Sequence, residues 1–260
     1  MARSTPHRSV SQLKLFRECQ EEFYWLRIRG EKYIPSVAAI QGSAFHSAYA
    51  EWELSGRTID PANLFVKTYR QMIVDESRET PLNDWKVWGR GRTIDEDITI
   101  REELGRQQIV DTARVAVEQS NEWMPLYIDG KPAVEVPFDI FIGSTRVIGS
   151  VDLVRRMSNG LNCVRDLKTG GREYGPVQLV VYAFALERQY GIHAPVGDFW
   201  YAKDLVSKSY QLKSRTKEAW LANQFYSIGA AEKSGVWVAS PGPHCFNCPV
   251  SRKCREFNDN

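Results

Sequence analysis

The stretch Asp166-Leu167-Lys168 places a carboxylate and an ammonium two residues apart at the end of an apolar run, residues 161–167. On a β-strand both side chains leave the same face. A second carboxylate, Asp152, interrupts the apolar run 147–154, and the Ser158-Asn159-Gly160 turn signal joins the two runs as an antiparallel hairpin. A loop of three residues, 158–160, sets Asp152 directly opposite Asp166. A two-residue loop sends them to opposite faces. The spacing therefore predicts an odd-length or bulged loop with Gly160 in the left-handed region. Two carboxylates buried together need a cation to neutralise them. Carboxylate and water ligands favour Mg²⁺ or Mn²⁺. Such an ion polarises a phosphoryl oxygen and supplies hydroxide, which points to phosphodiester hydrolysis. Asp-x-Lys by itself is weak evidence: Asp84-Trp85-Lys86 and Asp129-Gly130-Lys131 repeat it in turn-like contexts. An ion-pair cluster at a sheet end is the competing explanation of the hairpin.

Cys245, Cys248 and Cys254 form C-x2-C-x5-C in a tail with no periodic pattern, which is strong evidence for ligation of a metal or cluster by thiolates. A fourth ligand is to be sought among Cys19, Cys163 and His244. Cys163 falls on the strand face opposite Asp166 and suits core packing, whereas His244 is adjacent to a ligand. Cys19 requires closing a loop of some 226 residues, at an entropic cost of about 5 kcal/mol plus a constant. A strong structural metal site, which releases on the order of 10–16 kcal/mol, can bear that. A zinc deaminase needs a His-x-Glu partner upstream of Pro-Cys-x-x-Cys, and neither half is present. No Walker A signature occurs, so the chain carries no ATP site of its own.

The elements that must position these groups follow from periodicity. A helix is predicted over 9–30, started by Ser9, ended by Gly30 and containing Cys19. A second covers 37–54, with His46 on a face shared with Gly42 and Ala50, where small residues leave room for an approaching group. Residues 57–124 read as helical, including a long amphipathic helix over 96–123. They are interrupted at 81–92, where Trp85 and Trp88 are interleaved with Lys86, Arg90 and Arg92. That mixture suits stacking on bases beside phosphate contacts, and equally a solvated loop whose tryptophans pack on the domain. The period changes to two after Pro125: strands are predicted at 131–142, where Glu135 interrupts the apolar pattern, then in the hairpin, and at 196–202 and 207–212. Helices are predicted at 174–190, with Gln178 and Tyr182 on one face, and at 216–232.

The chain's 260 residues allow a large core, and 25% charged with 43% hydrophobic residues argues against disorder. A net charge of +2 neither announces nor forbids nucleic-acid binding, because local clustering of cations decides. No run is long enough to span a membrane and the first residues lack the apolar core of a signal peptide, so a cytoplasmic location is expected. Five cysteines in a reducing compartment favour metal over disulfides.

Taken together and in order, these motifs resemble the RecB-like PD-(D/E)xK nucleases, especially the small iron–sulfur exonucleases related to those of CRISPR adaptation. The opening SVSQLKLFREC is similar to their S-x-S-x-L-x-x-F-x-x-C stretch, with Gln20 where proline is usual. GSAFH ends at His46, GSVD and DLKTG carry Asp152, Asp166 and Lys168, and QLVVY carries Gln178 and Tyr182. Asp166 stands where many members have glutamate.

The resemblance implies an α/β fold: a restriction-endonuclease-like core with a central mixed sheet flanked by helices, a helical insertion, and an iron–sulfur module joining the N- and C-terminal segments. It implies a single nuclease domain, 1–260, with helix 9–30, insertion 57–124, core 131–213 and cluster tail 240–257. His46, Asp152, Asp166 and the Leu167 carbonyl would hold Mg²⁺ or Mn²⁺, and Lys168 would activate or position water. Gln178 and Tyr182 would line the site, Glu135 would be a weaker outer group, and Cys19, Cys245, Cys248 and Cys254 would bind a 4Fe–4S cluster. The implied activity is a metal-dependent exonuclease on single-stranded DNA or DNA ends. The alternatives are a non-catalytic iron–sulfur DNA-binding or adaptor subunit and a structure-specific endonuclease. DNA is the implied partner; a second copy of the chain, recombination or adaptation proteins, and the pathway are left open.

Overall fold

The computed structural model describes residues 7–87, 91–171, 175–212, 218–254 and 256. They belong to two compact units: one drawn from Pro35–Pro137 and Ser150–Lys213, the other from Met1–Ile34, Phe138–Gly149 and Ser214–Asn260.

The smaller unit begins with α1 (Val10–Glu18), capped by the Ser9 hydroxyl, which accepts from the Gln12 amide at 3.2 Å. The continuous helix expected over 9–30 is broken. Cys19 is extended (φ −155°, ψ 116°) between α1 and α2 (Gln20–Phe23), and a π-helical turn follows at Tyr24–Ile28. Apolar residues from both pieces still pack together. Phe16 meets Phe23 edge-on at 5.5 Å, and Trp237 stacks on Phe23 at 5.9 Å.

The larger unit opens with α3 (Val37–Leu54), whose bounds match the sequence pattern and whose N-terminal Ser36 accepts from the Ala39 amide. Helix α4 (Pro61–Glu79) starts on an Asp60 cap with proline at its first position, where the missing N–H costs nothing. Helix α5 (Ile94–Glu118) starts on a reciprocal Thr93–Glu96 capping box, and α6 (Ser120–Trp123) follows. Phe45, Tyr49, Phe65, Tyr69 and Ile109 from α3, α4 and α5 form one buried core with Leu153, Leu167 and Trp200 of the sheet.

A two-stranded ribbon, β1 (Tyr127–Ile128) with β2 (Lys131–Pro132), precedes the strands of the main sheet. These are β3 (Val134–Ile142), β4 (Thr145–Arg156), β5 (Asn162–Lys168), β6 (Val196–Tyr201) and β7 (Val206–Gln211), adjacent in that order. Between β5 and β6 runs α7 (Val177–Tyr190), the crossover that their parallel pairing demands. Helix α8 (Glu218–Ser234) belongs to the smaller unit, and its Glu232 pairs with Arg8. The sheet is mixed and α/β, as expected, and no helix among the described residues is long and apolar enough to cross a membrane.

A buried ion network ties the sheet to α6. Arg165 on β5 grips Asp198 of β6 with two hydrogen bonds, at 2.8 and 2.7 Å. Arg155 on β4 donates to the same carboxylate at 2.7 Å and to Glu122 at 2.9 Å. Burial alone would raise the Asp198 carboxyl, but Arg165 and then Arg155 overcome it and hold it below the usual aspartate range. Asp198→Asn strands two buried guanidinium groups and is expected to cost about 3–5 kcal/mol in urea unfolding. A loss below about 1 kcal/mol would show that water, not Asp198, compensates the arginines. Because the folded value is depressed, the contribution is complete above the ordinary aspartate pKa near 3.9. It disappears as pH falls through the lower folded value.

Candidate active site

The hairpin has the register that shared chemistry requires. Leu153 pairs with Arg165 and Arg156 with Asn162, which places Asp152 across from Asp166. The loop is 158–160, closed by the Met157 amide on the Leu161 carbonyl at 2.8 Å, and Gly160 takes φ +83°. An L side chain there would be strained, so the glycine sets the odd count.

Asp152 and Asp166 are both buried. Asp152 Oδ2 accepts from the Leu167 amide at 2.9 Å, so the side chain of one strand takes the backbone donor of the next. Asp166 Oδ2 lies 2.7 Å from Lys168 Nζ. The ammonium also donates to Gln178 Oε1 at 3.2 Å, and Gln178 Nε2 donates to the Tyr182 hydroxyl at 2.7 Å. The i, i+4 spacing on α7 thus serves as a relay that fixes the head of Lys168. The same ammonium lies 5.6 Å from the ring centre of Phe199.

His46 reaches this point from α3, about a hundred residues upstream. Its Nδ1 lies 3.2 Å from Asp152 Oδ2 and 3.9 Å from Glu135 Oε1. The three donor atoms of His46, Glu135 and Asp152 lie within 4.8 Å of one another. They open onto a groove of about 780 Å³ whose α3 wall includes Gly42, Ser43, Ser47 and Ala50, the small residues flanking His46.

The electrostatics are those of a cation site. Burial and then the Asp152 charge push the Asp166 carboxyl up to about 7, against the pull of Lys168 and His46. Glu135 is likewise raised, by burial and then by Asp152. Burial would lower the His46 imidazole, yet Asp152, with Asp166 and Glu135 behind it, holds it near 9. The Tyr182 hydroxyl is kept protonated far above its ordinary range by burial and both aspartates. A hard dication answers this excess of negative charge, and oxygen donors with one imidazole are a set that Mg²⁺ or Mn²⁺ accepts. The donor set therefore fits the group that the sequence motifs imply.

Cys19, Cys245, Cys248 and Cys254 line one cavity of about 240 Å³. The extended turn at Cys19 is what removes this side chain from the helix. Burial raises the Cys248 thiol to about 11, with Glu22, Cys19 and Cys245 adding to the shift. The Gly242 amide donates to Cys245 Sγ at 3.3 Å. His244 lines the same cavity with its Nε2 buried and without a hydrogen-bond partner among the described residues. Cys163 is fully buried in the larger unit and does not line this cavity.

Of the two readings left open for residues 81–92, Trp85 follows the packed one rather than the base-stacking one. That residue is 5% exposed in the main core, and its Nε1 donates to the Thr80 carbonyl at 2.8 Å. No face of the ring is offered to a base, because its apolar area is already spent on packing. Trp88 and Arg90 lie outside the described residues, and Arg92 is exposed just before the Thr93 cap. Sequence reasoning missed Ser150, whose hydroxyl donates to Glu135 Oε2 at 2.7 Å. An isolated serine in a strand carries no signal of such a bond.

Comparison with known proteins places this geometry. The profile of the PD-(D/E)XK nuclease superfamily matches residues 7–255. The Gene 69 protein of Mycobacterium phage D29 is 30% identical over 267 residues, covering 97% of each chain. The Gene 69 protein of Mycobacterium phage L5 is 30% identical over 283 residues with the same coverage. A crystal structure described as that of SSO0001 aligns over 95% of both chains at 15% identity, with a TM-score of 0.36. With the family profile spanning nearly its whole length, the chain belongs to the PD-(D/E)XK nuclease superfamily of metal-dependent nucleases.

Proposed function

We propose that this nuclease is a DNA exonuclease of the RecB-like type, acting on single strands or duplex ends, with a 4Fe–4S cluster in its smaller unit. The observation that carries the catalytic assignment is the convergence of Asp152, Asp166, Lys168 and His46 from two strands and a helix. His46, Asp152, Asp166 and the Leu167 carbonyl would hold the divalent cation, which would supply Lewis acidity toward a phosphoryl oxygen and a nucleophilic hydroxide. Asp152, fixed by the Leu167 amide, and Asp166, fixed by Lys168, keep the donors in place before substrate arrives. Lys168, steadied through Gln178 and Tyr182, orients the attacking water and stabilises charge on the phosphorane-like transition state. Attack by that water forms a new P–O bond and releases its proton to solvent, while the P–O bond on the opposite side breaks and the departing sugar oxygen takes up a proton from water, leaving a phosphomonoester end and a free hydroxyl.

Support for the cluster comes from four thiols, separated by up to some 235 residues of chain, lining a single cavity. Thiolates in a Cys₄ arrangement suit iron–sulfur chemistry. Brown protein with iron and acid-labile sulfide in a ratio near one is the expected result; colourless protein with one zinc would replace the cluster with a zinc site.

The activity is tested with Mn²⁺, linear DNA labelled at either end, and closed circular DNA of both strandednesses. Release of labelled mononucleotides or short products from linear DNA, with circles left intact, is expected. Cleavage of circles would make the enzyme an endonuclease. Binding with no cleavage under either metal would make it an adaptor.

A further inference from the structure

Glu135 adopts a backbone conformation that an ordinary strand residue avoids. It lies near the start of β3 with φ +45°, in the left-handed region. For a residue with a Cβ this conformation is strained, and such strain persists only where the surroundings enforce it. The rest of β3 alternates buried and exposed positions regularly, so the departure is local.

What the strain achieves is visible in where the carboxylate goes. Oε2 is tied to the Ser150 hydroxyl at 2.7 Å, leaving Oε1 to face the groove 3.9 Å from His46 Nδ1. Oε1, Nδ1 and an Asp152 oxygen fall within 4.8 Å of one another, a spread that one ion can bridge. A carboxylate seeking only a surface hydrogen bond has no reason to accept left-handed strain and the repulsion of Asp152. A dication on the groove side of His46 removes that repulsion and uses all three atoms.

We propose that Glu135 is a direct ligand of the divalent cation, held in position by Ser150 and by its own left-handed backbone. The ion is then gripped by His46, Glu135 and Asp152, while Asp166 divides its carboxylate between the ion and Lys168. This rests on the metal site put forward under Proposed function and adds a ligand to it. Three carboxylates and one imidazole make a harder, more anionic set than two, which favours Mg²⁺ and Mn²⁺ over softer ions. Ser150 is a positioning residue in this scheme.

The test titrates Mn²⁺ alone into the full chain by calorimetry and electron paramagnetic resonance, and follows melting of the metal-free protein. Glu135→Gln keeps an oxygen to accept from Ser150 but loses the charge. It is expected to weaken Mn²⁺ binding at least about tenfold, the effect that even an outer partner of a ligand commonly has. Its metal-free melting temperature is expected to stay level or rise, because a like-charge contact is removed. Ser150→Ala should weaken Mn²⁺ by a smaller factor. Glu135→Gln binding within twofold of wild type, while Asp152→Asn loses affinity, overturns the proposal and leaves the metal site standing. A drop in metal-free stability that accounts for the lost affinity also overturns it, by making Glu135 a structural residue. Undiminished binding in Asp152→Asn as well would instead refute the metal site.

Discussion

Lys168→Ala is expected to slow DNA cleavage by about 10²–10³-fold while Mn²⁺ binds undiminished. The two effects separate because, in the proposed mechanism, Lys168 touches the reaction without being a metal ligand. Its Nζ is shared between Asp166 at 2.7 Å and Gln178 at 3.2 Å. Removing the ammonium takes away a competitor for the Asp166 carboxylate, so the ion should be held at least as well. What disappears is a fixed positive charge aimed at the substrate. Single-turnover cleavage with saturating Mn²⁺, set beside a calorimetric Mn²⁺ titration, measures both. A Lys168→Ala chain that cleaves at wild-type speed would remove Lys168 from the chemistry. One that fails to bind Mn²⁺ would make it a support for the metal site alone. Asp166→Ala, by contrast, should lose metal and activity together.

Cys19→Ala is expected to have the largest effect on stability. If the four thiols hold a cluster, the free energy at stake is on the order of 10 kcal/mol, as for other structural metal sites. A chain of this length shifts its melting temperature by roughly 2–4 °C per kcal/mol. The variant should therefore lose its iron, melt more than about 10 °C lower, and become open to proteases in its tail. Cys163→Ala is the control, because that thiol packs in the other unit and should leave iron content untouched. Equal iron in Cys19→Ala and wild type would place the fourth ligand elsewhere, and His244 is then next in line.

Much of the site was legible in the sequence because its demands are local. Asp152 and Asp166 must share a face, and only an odd loop with a left-handed residue allows it, so Gly160 and the register follow from one another. Helix α3 was legible through the helical spacing of Ala44, Phe45, Ala48, Tyr49 and Trp52 on one side of residues 37–54. The helix break at Cys19 was hidden, since the apolar positions on both sides keep a helical spacing while one extended residue turns between them. Its one trace is Gln20, which stands where the nuclease resemblance leads one to expect proline. That residue is the first of α2, where proline is tolerated. Trp85 left two readings open because an indole beside cations looks the same whether it faces a base or a core; only the packing of the surrounding helices decides. The strain at Glu135 is set by tertiary contacts and leaves no mark on the strand pattern.

The cysteine cavity also sets a timetable. Cys19 leaves the ribosome some 226 residues ahead of Cys245, an interval of roughly 10–45 s at ordinary elongation rates. Throughout that interval Cys19 is an unmatched thiol on a nascent chain. His46, Glu135, Asp152, Asp166, Lys168, Gln178 and Tyr182 are all synthesised in the meantime. The proposed cutting centre can therefore be assembled before the last thiol exists, and if the four thiols hold a cluster its insertion is confined to the moments after residue 254 emerges. Cells short of iron would then accumulate chains with a complete catalytic unit and an unfinished terminal one.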